Sequence, residues 1–262
     1  MTGFWLMIAL MLLAIFVPIF SPFDHYTNDL QNVNKPPDGT HWFGTDDLGR
    51  DLFVRTWKGA QASLFVGVAA ALIDLVIGIV YGGIMGYYGG KVDEIMNRFA
   101  EILYAIPYLL IVILLLVVME PSLGTIIVAM CMTGWINMAW IVRGQIMQLK
   151  NQEYALASRA LGAGSMRIIF RHLIPNAMGP ILVTLTLTVP NAIFTEAFLS
   201  FLGLGVQSPV ASWGTMINDG SNAMSVYPWR LFFPALFLSL SMFAFNVFGD
   251  GLRDAFDPKL KK

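Results

Sequence analysis

Apolar residues in this chain come in long unbroken runs, not in the alternation of a strand or the stripe of a surface helix. A membrane span needs roughly 20 mostly apolar residues. Six runs qualify: 4–21, 63–88, 101–119, 123–142, 177–194 and 231–249. Hydrocarbon offers no partner to backbone amides and carbonyls, so each run is expected to be helical. No Lys or Arg precedes the first run and no small-x-small cleavage site follows it, so it reads as a retained helix rather than a signal peptide. The pattern predicts an all-α membrane protein with six transmembrane helices.

The polar intervals are unequal. In 22–62, turn formers dominate, with Pro36, Pro37 and the acids Asp38, Asp46, Asp47 and Asp51, which predicts an ordered loop or short helix rather than a domain. The 89–100 interval is short, and 120–122 is a tight turn. A second large segment, 195–230, is rich in Gly and Ser and carries Phe198, Phe201, Trp213 and Tyr227. Its apolar FLSFLGLGV is too short to span, so it is expected to re-enter or lie along the membrane surface. The chain divides into 1–60 (first helix and polar segment), 61–249 (transmembrane domain, with the 143–176 loop between the fourth and fifth spans) and a 250–262 tail.

Composition agrees. The chain of 262 residues is 56% hydrophobic and 13% charged, with mean hydropathy +0.66, against about 25% charged in a soluble domain. The distribution of charge sets orientation. A cytoplasmic N-terminus puts eleven basic residues inside: Lys91, Arg98, Arg143, Lys150, Arg159, Arg167, Arg171, Arg253, Lys259, Lys261 and Lys262. Five are left outside: Lys35, Arg50, Arg55, Lys58 and Arg230. The positive-inside rule therefore predicts that both termini and the 143–176 loop are cytoplasmic. Nothing in the charge points to nucleic acid.

Chemistry is sparse. The single cysteine, Cys131, lies in an apolar run and reads as a small buried hydrophobe. P-loop, HExxH, GxSxG and Cys/His ligand patterns are all missing, and His25, His41 and His172 lie far apart. No enzyme, cofactor or metal site is expected. Asp74 is the one carboxylate well inside a span; it reads as a cap or partner for a neighbouring helix, with a proton or ion site as the alternative. Thr184, Thr186 and Thr188 are expected to hydrogen-bond between helices, and Gly78, Gly82 and Gly86 to admit another helix closely. Pro107, Pro180, Pro190 and Pro234 are expected to bend their spans.

One polar interval stands apart: QEYALASRALGAGSMRIIFRHLIPNA, 152–177. Asn151 is a plausible N-cap, and Glu153 suits the positive end of the helix that follows. Gly162 and Gly164 stop that helix, Ser165 caps a second over 166–173, and Pro175 opens the next span. The result is a capped knob whose small residues Ala155, Ala157, Ser158 and Ala160 let another protein approach the backbone. It reads as a docking element; the plain alternative is a basic loop obeying the positive-inside rule.

The spacing of this interval resembles the EAA loop of binding-protein-dependent ABC transporter permeases, E-A-A-x3-G-x9-I-x-L-P. Ala157, Gly162 and Pro175 match; Leu156 stands at the acid, Ser158 at the second Ala, and His172 and Ile174 at the Ile and Leu. The missing acid leaves one expected salt bridge to the ATPase open, with Glu153, almost a turn earlier, as the candidate substitute. HWFGTDDLGRDLFVR, NRFAEILYAIPYLL, AFLSFLGLGVQSPVASWGTMI and FGDGLRDAFDPKL are similar to the second permease subunit of dipeptide, oligopeptide and nickel importers.

The resemblance implies a type I ABC importer permease fold and a multi-pass subunit of the bacterial cell membrane. Its partners would be a paralogous permease, two ATP-binding subunits that hold ATP and Mg, and an extracytoplasmic binding protein. Glu153, Tyr154, Ala155, Ala157, Ser158, Arg159, Ala160 and Gly162 would dock the ATPase. Phe201, Gly203, Gly205, Ser212, Trp213 and Asn218 would belong to an external gate and the face that receives the binding protein. The implied cargo is peptide. A nickel or metal-chelate importer, an ion-coupled secondary transporter using Asp74 and a membrane scaffold are the alternatives.

Overall fold

The computed structural model describes residues 2–206 and 210–256. Lys259, Lys261 and Lys262 of the charge count, and Gln207 of the 195–230 segment, lie outside them. Among the described residues there are helices, turns and one isolated bridge, Thr45 with Asp51, and no strand. In chain order, α1 (Thr2–Phe20) leads to a loop, and α2 (Leu52–Tyr88) returns through the bundle. α3 (Gly90–Tyr104) and α4 (Tyr108–Val118) follow as a bent pair, then α5 (Leu123–Cys131) and α6 (Trp135–Leu149). The short helices α7 (Glu153–Ala160), α8 (Ser165–Ile168) and α9 (Ile174–Asn176), with a π-turn at Ile169–Leu173, build the cassette. α10 (Met178–Phe201), α11 (Trp213–Ala223) and α12 (Trp229–Phe256) complete the chain.

Among the described residues, five stretches are long and apolar enough to cross a membrane: α1, α2, Leu123–Leu149, α10 and α12; the bent α3–α4 pair, taken as one span, is a sixth. The loop 21–51 and α11 lie at one end of the bundle, here the capped end. The cassette and both described chain ends lie at the other. Gly3 abuts Ala244 and Phe248 of α12, and Phe256 packs on Gly179, just after the cassette.

α2 organises the bundle. Its 37 residues extend about 55 Å at 1.5 Å per residue, nearly twice the ~30 Å hydrocarbon thickness. It starts at Leu52, eleven residues before the apolar run at 63, so a division of the chain at 60 falls inside one helix. Asp51 caps it by accepting from the Val54 amide at 2.9 Å. The early turns carry Arg55, Lys58 and Gln61, and Gln61 has a defined task. Pro18 in α1 has no N–H to give the Ala14 carbonyl; Gln61 Nε2 donates to that oxygen at 2.8 Å, while Lys58 Nζ holds Gln61 Oε1 at 2.9 Å. The cost of a proline inside one helix is met by the side chain of another.

The expected glycine contact forms between α2 and α6. A Cβ on Gly78 would lie 2.5 Å from Met138 Cγ, and one on Gly86 would lie 2.7 Å from the Arg143 carbonyl. On Gly82 it would strike the Ala139 carbonyl. No larger residue fits without parting the helices.

Four expectations are corrected. The run 101–119 is not one helix: α3 and α4 meet at 77°, because Pro107 has no amide donor and disfavours helical backbone at Ile106. The short interval 89–100, read as a break between spans, is most of α3. FLSFLGLGV is not an element of its own. Its first residues finish α10, and Gly203 closes that helix at φ 77°, with Gly203 N donating to Ser200 O and Leu204 N to Leu199 O. The fourth run also outlasts 142: α6 continues through Arg143 to Leu149, so the connecting loop is shorter than 143–176.

Candidate functional site

The cassette is rooted by one apolar face. Ala155, Ile168, Ile169, Leu173 and Ile174 are buried with Met138, Val142 and Ile146 of α6 and Ile181 of α10. Most of the remaining cassette residues point away from the bundle. Glu153, Ala157, Arg159, Ala160 and Gly162 are exposed, and Ser158 is half-buried, donating to the Tyr154 carbonyl at 2.9 Å. Tyr154, Leu156, Met166 and Phe170 are exposed, and Leu161 at the corner is 88% exposed. The knob thus carries an open apolar set on a basic polar surface.

The corner between the two helices is set by one glycine. Gly162 adopts φ +82°, with Gly162 N donating to Arg159 O at 3.0 Å and Ala163 N to Ser158 O at 3.1 Å. That left-handed closure satisfies the last carbonyls of α7, and glycine adopts it without steric cost. The N-caps differ from expectation. Gln152 rather than Asn151 precedes α7, and Gly164 rather than Ser165 precedes α8, both in extended backbone without a side-chain cap bond.

Two cations fasten the cassette end to α2. Lys150 Nζ donates to the Gly86 and Tyr87 carbonyls at 2.8 and 3.2 Å, where the helix dipole favours positive charge. The Arg159 guanidinium lies 5.4 Å from the centre of the Tyr87 ring. Arg143 of α6 adds a bidentate pair to Asp93 of α3 at 2.5 and 2.6 Å.

At the capped end, FGTDDLGRD becomes a knot of charge. Asp46 takes Arg50 Nε at 2.7 Å and Arg55 Nε at 3.2 Å, and Arg230 at the start of α12 reaches Asp47 at 3.2 Å and Asn34 at 3.0 Å. His41 Nδ1 meets Asp51 at 2.8 Å. Burial pushes the Asp219 carboxyl up, Asp47 adds to this, and Arg55 and Arg230 oppose it. Burial pushes the His25 imidazole down, and the His41 and Thr40 amides hold the Asp38 carboxyl low.

The six residues expected at a gate divide into two groups. Ser212 and Trp213 are buried. Ser212 Oγ caps α11 by accepting from Thr215 N, and Trp213 Nε1 donates to the Thr56 carbonyl at 3.0 Å. Trp213 is thus a core residue rather than a boundary aromatic. Phe201 is partly exposed, and its carbonyl accepts from Asn218 Nδ2; Gly203 and Gly205 form the turn after α10. Sequence reasoning missed the residue that joins these parts. Glu196, fully buried, accepts from Ser63 Oγ of α2 at 2.7 Å and Ser200 Oγ at 2.8 Å, and Ser63 Oγ accepts the Trp213 amide at 3.2 Å. An acid inside the apolar context of TEAFLSFL was the available signal.

Asp74 is also buried, with one oxygen against Gly134, at the junction of α5 and α6, and the other without a partner. Thr184 and Thr188 donate to carbonyls four residues back in their own helix, and Thr186 to the one three back, instead of across helices.

Residues 78–262 match the family model described as binding-protein-dependent transport system inner membrane component. The chain belongs to this family. Residues 1–37 of this inner membrane component match a second model, the N-terminal TM domain of oligopeptide transport permease C. It is 64% identical over 262 residues to the oligopeptide transport system permease protein OppC of Bacillus subtilis, covering 100% of this chain and 86% of that protein. With the dipeptide transport system permease protein DppC of the same organism the identity is 59% over 263 residues, covering 100% and 82%. Escherichia coli OppC is 47% identical, covering 97% and 85%. Among solved structures, an inward-facing MetNI methionine ABC transporter aligns with TM-score 0.59 at 16% identity, over 77% of this chain and 95% of that one. That likeness concerns the fold, which is of the type I ABC importer kind. The inner membrane component is a multi-pass subunit of a transport system, working with other subunits and not as an enzyme.

Proposed function

We propose that this chain is the C-type permease subunit of an ATP-driven importer of oligopeptides or dipeptides. The observation that carries it is 64% identity along the whole chain to an oligopeptide permease. Named relatives on the dipeptide side stand next to it, and these names favour peptide over nickel. The proposed partners are a paralogous permease, two ATP-binding subunits holding ATP and Mg, and an extracytoplasmic binding protein. The cassette end faces the cytoplasm, as the excess of Lys and Arg there favours, and the capped end receives the binding protein.

In this reading the ATPase covers Tyr154, Leu156, Leu161 and Met166, all exposed, with Glu153 standing for the family's acid. Ala155 roots the knob in the bundle, so a movement of the ATPase moves α6 with it. The glycine contact and Lys150 tie α6 to α2, and α2 runs unbroken to Ser63, Glu196 and Trp213. Phe201, Gly203, Gly205 and Asn218 then form the moving edge of the gate, with Ser212 and Trp213 positioning α11 behind it. This is rigid-body rocking between two states.

The test is purification through a tag on this chain followed by uptake. ATP-binding subunits co-elute, and vesicles holding the complex take up labelled oligopeptide only with ATP and the binding protein. Uptake by the chain alone under an imposed ion gradient would overturn the proposal.

A further inference from the structure

α3 has two exposed faces of opposite character. Val92, Ile95, Phe99 and Ile102, spaced 3-4-3, are all exposed and apolar. Around the helix, Glu94 and Glu101 are exposed and charged with Asn97 beside them, and exposed Arg98 stands at the border with the apolar face, within about 60° of Ile95 and Ile102. A third face holds α3 to α6: Asp93 pairs with Arg143, Asn97 Oδ1 accepts from Trp140 Nε1 at 3.0 Å, and Ala100 packs with Trp135 and Ile136.

These contacts fix the depth. As α3 advances, its partners on α6 step back from Arg143 through Trp140 to Ile136, so the two helices run antiparallel. Seven residues of α6 separate Arg143 from Ile136, about 10 Å of rise. Arg143 is itself seven residues, about another 10 Å, from Lys150 at the cassette end. The Arg98 and Glu101 charges are therefore carried well inside the level of the Asp93–Arg143 pair, in a bundle whose neighbours cross hydrocarbon. Charges held at such depth face water or protein, not lipid.

A cavity of about 250 Å³ opens on this face, lined by Asp93, Glu94, Asn97, Arg98, Glu101 and Arg143. We propose that the charged face of α3 lines the cytoplasmic part of the translocation path and touches the peptide in transit, while Val92, Ile95 and Ile102 face lipid. This rests on the peptide-importer reading above. The chemistry fits a zwitterionic chain. Arg98 Nη1 donates to Glu101 Oε2 at 2.9 Å and Asn97 Nδ2 to Glu101 Oε1 at 2.6 Å. Such an exposed ion pair contributes little to stability, so either member exchanges its partner for a peptide terminus at small cost. Acid, base and acid along one stripe offer weak contact to both termini and hold neither, as passage requires.

The experiment uses the whole transporter in inverted vesicles, with this chain carrying Cys131→Ala and one cysteine in place of Glu94, Arg98, Glu101, Val92, Ile95 or Ile102. A charged, water-soluble methanethiosulfonate is expected to label the three polar positions about 100-fold faster than the three apolar ones, the ratio set by the cost of carrying charge into hydrocarbon. Oligopeptide with ATP should slow labelling at the polar positions only. Arg98→Glu should shift relative KM several-fold from anionic towards cationic tripeptides. Equal labelling of both faces, or no labelling of the polar face because a partner subunit covers it, would overturn the proposal. The contrast between faces is read without peptide, so failure of the unsubstituted complex to import peptide would sink the functional reading alone.

Discussion

Single side chains in this bundle repair what the backbone leaves open. Ala14 O loses its helical donor to Pro18 and receives Gln61 instead. Gln61→Leu should cost about 1–3 kcal/mol, the range for an orphaned buried acceptor. Pro18→Ala in that background should recover most of the loss, because the backbone amide returns. Thermal unfolding of the four proteins in detergent closes the cycle, and additive effects would remove Gln61 from this role. Asp219 gives a prediction with a sign. Its carboxyl is raised above the ordinary 3.8 by burial and by Asp47, so the folded chain binds that proton more tightly than the unfolded chain does. The penalty is absent below the ordinary value and sets in as pH rises through the folded value. Asp219→Asn should therefore unfold at a higher temperature than the parent at pH 7, with the gap closing as pH falls towards 3.8. A gap that widens in acid would contradict this.

At the scale of elements, hydropathy located α1, α10 and α12 to within a few residues at most ends, because their runs are apolar throughout. It failed where direction or pairing decides. The 101–119 run averages apolar across Pro107, and an average carries no bend. The first three turns of α2 look like loop until Arg55 is seen paired with Asp46, and Gln61 with Ala14. The exposed small-residue helix of the cassette was legible because the Gly162 stop announces itself locally, whereas its N-cap was misplaced by one residue. The burial of Ser212 and Trp213, and the Glu196 node, depend on residues some 150 positions away and were not legible. The glycine contact was legible, and it can be tested. Gly82→Leu places side-chain atoms into the Ala139 backbone and Val142, and overpacking of this kind costs about 1–3 kcal/mol or more. Less folded chain in the membrane and a lower unfolding temperature are expected, whereas Gly144→Leu, where a Cβ meets nothing within 4 Å, should be tolerated. Equal behaviour of the two variants would deny the close α2–α6 contact.

For the molecule as a whole, one path of contact joins the two ends. It starts at the exposed cassette, passes through Ala155 and the α6 core, crosses to α2 by glycines and Lys150, and ends at Ser63, Glu196 and Trp213 under α11. In the proposed transporter, force enters at the cassette. Ala157 is exposed on α7 and has no part in the core, so a large side chain there leaves the bundle intact and blocks only what docks. The decisive measurement is peptide uptake and ATP hydrolysis, side by side, in vesicles holding the complete transporter with Ala157→Trp. The account predicts normal insertion of the chain, uptake reduced to background, and hydrolysis no longer stimulated by peptide and binding protein. Uptake and stimulated hydrolysis both at the level of the unsubstituted transporter would contradict it.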